Sequence, residues 1–300
     1  CTTSIGPGAP NRVTAAALAH VNRLPVLFLP GDDFLSRAPD PVLQQVEDFH
    51  DGGISANDCF RPVSRYFDRI VHPEQLLTAL PRALHVLTDA ALCGPVTLAM
   101  PQDVQTMAYD WPEAFFAPPP VRFAAPPPID EELADAVAAL RGSRKPLIVA
   151  GGGTLYGLAT DALKRFAETH GVPVAETQAA IGVTGSPAAN ALAREADCVL
   201  AVGTRLQDFT TGSHTLFAQA KLVSLNVNGF DALKWHGTML RADARRGLEA
   251  LSAALAGWRS GDAWRARATD EAARWRADLA RVTGVRDVAL FTQYRDALVK

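Results

Sequence analysis

Short apolar runs that alternate with helical segments constrain the fold of this chain most. The runs at residues 24–29 (LPVLFL) and 96–100 (VTLAM) are each followed by a proline. Four more runs follow between residues 146 and 227, and the segments between them have apolar residues at helical spacing. Parallel strands need long connections, which are usually helices. The sequence therefore predicts an α/β fold with two doubly wound parallel-sheet units.

The individual elements follow from apolar spacing and from glycine and proline positions. Strands are predicted at residues 24–29, 96–100, 146–150, 172–175, 198–202 and 222–227. Helices are predicted at residues 13–20, 73–87, 129–140, 160–170 and 186–196, and the chain beyond residue 248 is mostly helical. Residues 30–32 (PGD) are predicted to form a turn, Asn11 to cap the first helix, and Ser186 to cap the helix that follows it.

A proline-rich stretch divides the chain. Residues 117–128 (APPPVRFAAPPP) contain six prolines, which stiffen and extend a segment. A chain of 300 residues also exceeds the usual size of one core. We therefore predict one α/β unit at residues 1–116, a linker at 117–128, a second α/β unit at 129–258 and a helical segment at 259–300.

Composition excludes several classes of partner. The net charge is −3, from 29 basic and 32 acidic residues, so there is no basic excess to attract nucleic acid. No apolar run approaches the roughly 20 residues of a membrane span. The four cysteines are far apart and form no CxxC pair, which is typical of a reducing compartment. We predict a cytoplasmic protein with neither a nucleic-acid nor a membrane partner.

Two loops after predicted strands are candidate ligand sites. Gly151–Gly153 could cradle a phosphate with backbone amides, but the spacing is not GxGxxG, and a tight strand-to-helix turn is the alternative. In Gly203-Thr204-Arg205, the arginine lies where open α/β sheets bind ligands. The alternative is that Arg205 pairs with Asp208 or with a neighbouring chain. Both questions stay open at this point.

The remaining polar residues form no recognised catalytic or metal-binding motif. Asp32 and Asp33 offer cation ligands, but adjacent carboxylates after a turn are usually solvated. The seven histidines form no HExxH or HxH pattern, and Ser186 lies outside any GxSxG nucleophile motif. We therefore assign no catalytic or metal-binding residue from these patterns.

Three blocks nevertheless carry a family resemblance. Residues 3–11 (TSIGPGAPN) resemble the SxGPGxxN turn of thiamine-diphosphate enzymes of the acetohydroxyacid-synthase type. Residues 22–32 (NRLPVLFLPGD) are similar to the strand that follows in that family, and residues 94–104 (GPVTLAMPQDV) to the block that closes its pyrimidine-binding domain. The three blocks occur in the family's order.

The resemblance implies the following roles. Residues 1–116 are the C-terminal part of the pyrimidine-binding domain, residues 129–258 are a Rossmann-like central domain, and residues 259–300 lead towards a diphosphate-binding domain. The implied cofactors of the complete enzyme are thiamine diphosphate and Mg²⁺, with Gly6, Pro7, Gly8 and Asn11 as cofactor-binding residues. The complete enzyme is implied to be a homodimer or homotetramer.

The same resemblance implies that this chain alone holds no catalytic and no metal-binding residue. In the family, the catalytic glutamate precedes the SxGPGxxN turn, and the metal-binding block lies in a third domain. We therefore expect the chain to be inactive by itself.

Four further blocks resemble a narrower group, the hydrolases that open 3D-(3,5/4)-trihydroxycyclohexane-1,2-dione to 5-deoxy-glucuronic acid in myo-inositol catabolism. The blocks are residues 39–45, 57–70, 175–179 and 203–213. This resemblance extends to about residue 259, although a loop that follows residue 179 in those hydrolases is missing. It implies a small cyclic dione as substrate.

Two other readings remain open. One is another carboligase or decarboxylase of the acetohydroxyacid-synthase type, which would share the turn but not blocks 57–70 and 203–213. The other is a non-catalytic nucleotide-binding module built on the second sheet.

Overall fold

The computed structural model describes residues 1–46, 48–117, 121–177 and 180–283. The chain divides into two compact units, Cys1–Ala124 (unit 1) and Ala125–Lys300 (unit 2). Each unit has its own sheet, and every strand pairing in both sheets is parallel. The predicted α/β class is thus confirmed, whereas the assignment of the units to domains of a larger enzyme stays a prediction.

Unit 1 has a four-stranded sheet in the order β1-β2-β4-β3. Its elements are β1 (Thr2–Thr3), α1 (Val13–Asn22), β2 (Leu27–Asp32), β3 (Tyr66–Arg69), α2 (Leu76–Thr88) and β4 (Val96–Pro101). Strands β1 and β3 were not predicted. β1 is only two residues long, and β3 reads YFDR, so neither contains an apolar run.

The predicted turn after the first apolar run was wrong. Strand β2 continues through Pro30, Gly31 and Asp32, because Gly31 and Asp32 stay in parallel register with Met100 and Pro101 of β4. A long-range ladder therefore overrides the local turn signal.

The predicted helix cap at Asn11 was also wrong. Asn11 lies inside a short 3₁₀ turn, Pro10–Arg12, and Arg12 occupies the cap position of α1 without a side-chain hydrogen bond. Asn11 is exposed to solvent. Its amide is therefore not used to start the helix.

Unit 2 has a five-stranded sheet in the order β6-β5-β7-β8-β9. Its strands are β5 (Pro146–Ala150), β6 (Val174–Glu176), β7 (Cys198–Val202), β8 (Lys221–Asn226) and β9 (Thr238–Arg241). Its helices are α3 (Asp130–Arg141), α4 (Gly153–Tyr156), α5 (Thr160–His170), α6 (Pro187–Glu195), α7 (Asp208–Thr211), α8 (Gly229–Ala232), α9 (Ala244–Ala254) and α10 (Asp262–Thr283). Strand β9 (TMLR) was not predicted, since it is short and half polar.

Helices cover both faces of the second sheet. Successive strand side chains point to opposite faces, so Ile148 of β5 packs with Phe166 and Leu251 on one face. Its neighbour Leu147 packs with Ala193 and Phe217 on the other. All of these side chains are buried. Because both faces of the sheet are covered, the five-residue strands β5 and β7 are apolar throughout.

Two local features of unit 2 have clear structural roles. The Ser186 hydroxyl accepts a hydrogen bond from the Ala189 amide at 3.1 Å, which confirms the predicted cap. The buried ring of His170 bonds through Nδ1 to the Trp258 carbonyl at 2.9 Å and through Nε2 to the Ser252 hydroxyl at 3.1 Å. His170 thus joins the end of α5 to α9 and the segment that follows it.

Some predicted features lie outside the described residues. These are linker residues 118–120, the loop difference after residue 179, and the end of the predicted helical segment, residues 284–300. Within the described part of the chain, no helix is both long and apolar enough to cross a membrane.

The stretch around Arg122 is expected to be the first site of tryptic cleavage. Residues 121–127 are exposed and lie in no helix or strand, so a protease can bind them in extended form. Arg165 is equally exposed but lies in α5, and it serves as the internal control. Mass spectrometry of a time course should detect the cut after Arg122 first, and Arg122→Ala should delay it. Earlier cleavage within residues 147–202 would contradict the predicted linker.

Candidate functional site

The carboxyl ends of the parallel strands form one edge of the sheet in unit 1. Ser4 follows β1, Asp32 ends β2 and Arg69 ends β3 at this edge. Open α/β sheets bind their ligands at the carboxyl ends of the strands. Two features lie here, a glycine-containing turn and a charged cavity.

The turn Gly6–Gly8 is shaped by its first glycine. Gly6 is buried and has φ +57°, and a Cβ there would lie 1.5 Å from the carbonyl oxygen of Gln44. Only glycine fits both the left-handed conformation and this close approach. The Ala9 amide donates to the Gly6 carbonyl at 3.0 Å and closes the turn.

The outer surface of the turn is open. Pro7, Gly8 and Asn11 are exposed, and a Cβ on Gly8 would meet only the Cβ of Ser4, at 3.6 Å. Proline at the second position fixes one backbone angle of the turn. The predicted cofactor-binding residues thus lie in one segment with room for a flat ligand, and their contact with a cofactor stays a prediction.

A charged network lies beside the turn. Arg69 donates from Nε to Asp32 Oδ2 at 2.6 Å, and from Nη2 to Asp58 Oδ2 at 3.0 Å and to Ser55 Oγ at 2.8 Å. The expectation that Asp32 is solvated was wrong, because the residue is only 2% exposed. A buried carboxylate needs a partner of opposite charge, and Arg69 supplies it.

The second carboxylate of the pair has a different environment. Asp33 is half-buried and lines a cavity of about 230 Å³, together with Arg37, Gln45 and Arg69. Burial raises the pKa of Asp33 to about 6, and the neighbouring charge of Asp32 adds to this shift, whereas Arg69 opposes it. Asp33 therefore changes charge near neutral pH.

Asp33→Asn is expected to stabilise the protein at pH 8 and to have little effect at pH 4. The folded-state pKa of Asp33, about 6, lies above its ordinary value of 3.8, so the folded state binds its proton more tightly than the unfolded state. Stability is therefore lost as pH rises from below 4 to above 6. The amide cannot ionise and escapes this loss.

Thermal melts of the unaltered protein and the Asp33→Asn variant at pH 4, 6 and 8 test this. Asp135→Asn, on the exposed face of α3, is the matched control. A difference between Asp33→Asn and the unaltered protein that stays constant with pH would contradict the expected titration.

The Gly151–Gly153 loop in unit 2 is a tight turn. The Gly151 amide donates to the Val202 carbonyl at 2.8 Å, and the Gly153 amide donates to the Gly203 carbonyl at 2.9 Å. Two of the three glycine amides are therefore already bonded within the protein. Of the two alternatives, the structure supports the turn and not the phosphate cradle.

The Gly203-Thr204-Arg205 segment is also held from several sides. The Thr204 carbonyl accepts from Asn226 Nδ2 at 3.1 Å, and the Arg205 carbonyl accepts from Lys234 Nζ at 2.8 Å. These bonds fix the loop after β7. A ligand-binding role for Arg205 stays a prediction.

The sequence interpretation missed Arg69, Asp58 and Ser55. All three lie in or near the segment 57–70, which carried the family resemblance but no assigned role. The signal was an arginine at the end of a strand, as in Gly203-Thr204-Arg205, but β3 itself was not recognised. Among the described residues, no cluster of three or more His, Cys, Asp or Glu side chains is arranged to hold a metal ion.

Comparison with known proteins shows which proteins this chain resembles. Residues 133–251, which include all five strands of the second sheet, match the model of the thiamine pyrophosphate enzyme central domain. The chain is also 47% identical, over 298 residues, to the 3D-(3,5/4)-trihydroxycyclohexane-1,2-dione hydrolase of Geobacillus thermodenitrificans. Unit 2 therefore contains a thiamine pyrophosphate enzyme central domain. The Geobacillus alignment covers 95% of this chain, and thus both units, and 46% of the relative.

Two further relatives carry the same hydrolase name. The protein of Clostridium tetani is 46% identical over 268 residues, which are 84% of this chain and 42% of the relative. The protein of Clostridium perfringens is 41% identical over an alignment of 316 positions, which covers 100% of this chain and 49% of the relative. The chain spans about half the length of the curated relatives it matches.

Proposed function

We propose that this chain is part of a longer thiamine-diphosphate-dependent hydrolase, which uses water to open the ring of 3D-(3,5/4)-trihydroxycyclohexane-1,2-dione to 5-deoxy-glucuronic acid in myo-inositol catabolism. The observation that carries the proposal is the 47% identity over 95% of the chain to a relative named for this substrate. A likeness limited to the central domain would support only membership of the family.

In this proposal, unit 1 is the C-terminal part of the pyrimidine-binding domain. Gly6, Pro7, Gly8 and Asn11 face the aminopyrimidine ring, since the turn is rigid and its outer surface is open. The Asn11 amide has one acceptor and two donor hydrogens, and its side chain makes no hydrogen bond with other described residues. When bound, thiamine diphosphate supplies the carbon nucleophile that carbon–carbon cleavage requires.

The proposal also covers the rest of the enzyme. Mg²⁺ accompanies the diphosphate group. Residues 129–258 are the central domain, and residues 259–300 lead from it towards a diphosphate-binding domain. The complete enzyme is a homodimer or homotetramer in the cytoplasm, with a small cyclic dione as substrate and no nucleic-acid or membrane partner.

The test is turnover by the full-length protein with thiamine diphosphate and Mg²⁺. Formation of 5-deoxy-glucuronic acid from the cyclic dione, followed by NMR, is the expected result. A parallel reaction with pyruvate tests the carboligase reading through the formation of acetolactate. Acetolactate without ring opening would overturn the hydrolase proposal.

In the full-length protein, Gly8→Ala is expected to raise the Kd for thiamine diphosphate about tenfold, which corresponds to a loss of roughly 1.4 kcal/mol in binding free energy. The added methyl group has room within the protein but projects from the surface where the ring is proposed to lie. The melting temperature of the free protein should therefore stay nearly unchanged. Tryptophan quenching gives the Kd, and thermal melts of the same sample give the stability.

Two glycine variants are the controls for this prediction. Gly152→Ala in unit 2 places its Cβ 3.5 Å from the ring of Tyr156, and should alter neither Kd nor stability. Gly6→Ala should lower the melting temperature, because its Cβ meets the Gln44 carbonyl. A Kd for Gly8→Ala equal to that of the unaltered protein would remove the turn from the cofactor site.

A further inference from the structure

We propose that the cavity beside Asp33 binds the hydroxyl groups of a cyclic polyol, with the Asp33 carboxylate as the hydrogen-bond acceptor. The proposal rests on the proposed function, since it gives that substrate a binding site. It goes further in naming the side chain that recognises the substrate and the kind of substrate that this side chain excludes.

The cavity lies where a ligand is expected. It is lined by residues from the carboxyl ends of β2 and β3, including Asp32 and Arg69. Its volume of about 230 Å³ is below the roughly 300 Å³ at which pockets for drug-sized ligands begin. The cavity therefore suits one small ring and not a nucleotide.

The side chains of the cavity differ in how fully they are bonded. Asp32 is bonded to Arg69. The Asp33 carboxylate, in contrast, makes no hydrogen bond or ion pair with other described residues. It lines the cavity as an acceptor that a ligand hydroxyl can use.

Gln45 borders the cavity but adds no accessible acceptor to it. Gln45 lines the cavity, and its Oε1 is buried without a hydrogen-bond partner among the described residues. Its Nε2 donates to Asp40 Oδ1 at 3.3 Å, so Oε1 is the atom of the amide that has no partner among the described residues. Because Oε1 has almost no accessible surface, a ligand hydroxyl in the cavity does not reach it, and the Asp33 carboxylate is the acceptor that the cavity presents.

The cavity and the proposed cofactor turn share one short segment. Gln44 packs its carbonyl against Gly6, and its Oε1 accepts from Ser4 Oγ at 3.2 Å. The next residue, Gln45, lines the cavity. Gln45, which borders the cavity, therefore follows directly on the residue that packs against the turn, so the cavity and the turn are joined through neighbouring residues, as a substrate site and its cofactor site need to be.

The charges around the cavity also determine which substrates fit. Arg37 and Arg69 line the cavity, and both are already bonded to protein groups, Arg37 to the Gly52 carbonyl at 2.6 Å and Arg69 as described above. Asp33 has no such partner among the described residues, so an entering ligand meets a negative charge that these residues do not pair. Neutral hydroxyl donors are attracted to it, and 2-oxo acid anions are repelled.

The affinity for the polyol should rise with pH. The charged groups that act on Asp33 are Asp32, Asp40 and Asp58, which favour its protonated form, and Arg69, which favours its ionised form. Hydrogen bonds to an ionised acceptor are stronger than those to a neutral one. Binding should therefore strengthen as pH rises through about 6.

Binding is tested with scyllo-inositol as the probe, by calorimetric titration of the chain of residues 1–300. The unaltered protein should bind the probe, and Asp33→Ala should weaken binding at least tenfold. Asp135→Asn on α3 is the charge-matched control and should bind like the unaltered protein. Thermal melts confirm that Asp33→Ala remains folded.

Three results would overturn the proposal. They are no binding of scyllo-inositol by the unaltered protein, equal affinity of Asp33→Ala, and tighter binding of pyruvate than of the polyol at the same site. Turnover by the full-length protein separates this proposal from the proposed function. If binding depends on Asp33 but no ring is opened, the site stands and the hydrolase proposal fails. If the ring is opened with KM and kcat unaffected by Asp33→Ala, the hydrolase proposal stands and the site fails.

Discussion

Gly153→Ala is expected to lower the free energy of unfolding of unit 2 by about 3 kcal/mol, the upper part of the range for overpacking in a dense core. A Cβ on Gly153 would lie 2.6 Å from the Cα of Gly203 and 2.9 Å from its carbonyl oxygen. Both contacts are with backbone, so no side-chain rotation relieves them. The strands β5 and β7 would have to separate where they now exchange hydrogen bonds.

The neighbouring residue provides the control. Gly152 is exposed, and a Cβ there would meet only the ring of Tyr156 at 3.5 Å, an ordinary contact. Gly152→Ala should change the unfolding free energy by less than about 0.5 kcal/mol. Urea denaturation followed by tryptophan fluorescence compares the two, since Trp258 and Trp264 both lie in unit 2. Equal midpoints for the two variants would show that the close approach of the loops after β5 and β7 does not contribute to stability.

Arg69→Leu is expected to destabilise unit 1 by about 3–5 kcal/mol, the range for removing one partner of a buried ion pair. The variant leaves Asp32, which is 2% exposed, without its cation, and it also removes the bonds to Asp58 and Ser55. The penalty comes mainly from a buried charge that neither water nor an arginine compensates. Thermal denaturation at pH 7 measures it.

The matched control for Arg69→Leu is a second arginine that pairs with Asp58. Arg61 also pairs with Asp58, at 2.6 Å, but its side chain is 56% exposed. Arg61→Leu should therefore cost less than about 1 kcal/mol, as for surface ion pairs. The double variant Arg69→Leu with Asp32→Leu should recover part of the loss, because it removes both charges. Equal effects of Arg69→Leu and Arg61→Leu would contradict a buried, energetically important pair.

The sequence by itself determined the features that depend on a few neighbouring residues. Strand β7 is a run of five buried apolar residues, and a strand covered by helices on both faces must be apolar throughout. Ser186 caps α6 because its hydroxyl reaches an amide three residues ahead. The turn around Gly6 was located by its resemblance to the SxGPGxxN motif, and the positive φ of Gly6 is a local demand on backbone conformation that glycine meets.

Only the tertiary structure decided which distant residues meet. Asp32 and Arg69 are 37 residues apart, and the adjacent carboxylates gave no local sign that one would be buried and paired while the other lines a cavity. Strand β3 has no apolar run, and its place beside β4 comes from the parallel ladder. The proline and glycine of β2 likewise belong to a strand because β4 pairs with it. Such contacts depend on strand order and register, which are properties of the whole sheet and not of any segment of the chain.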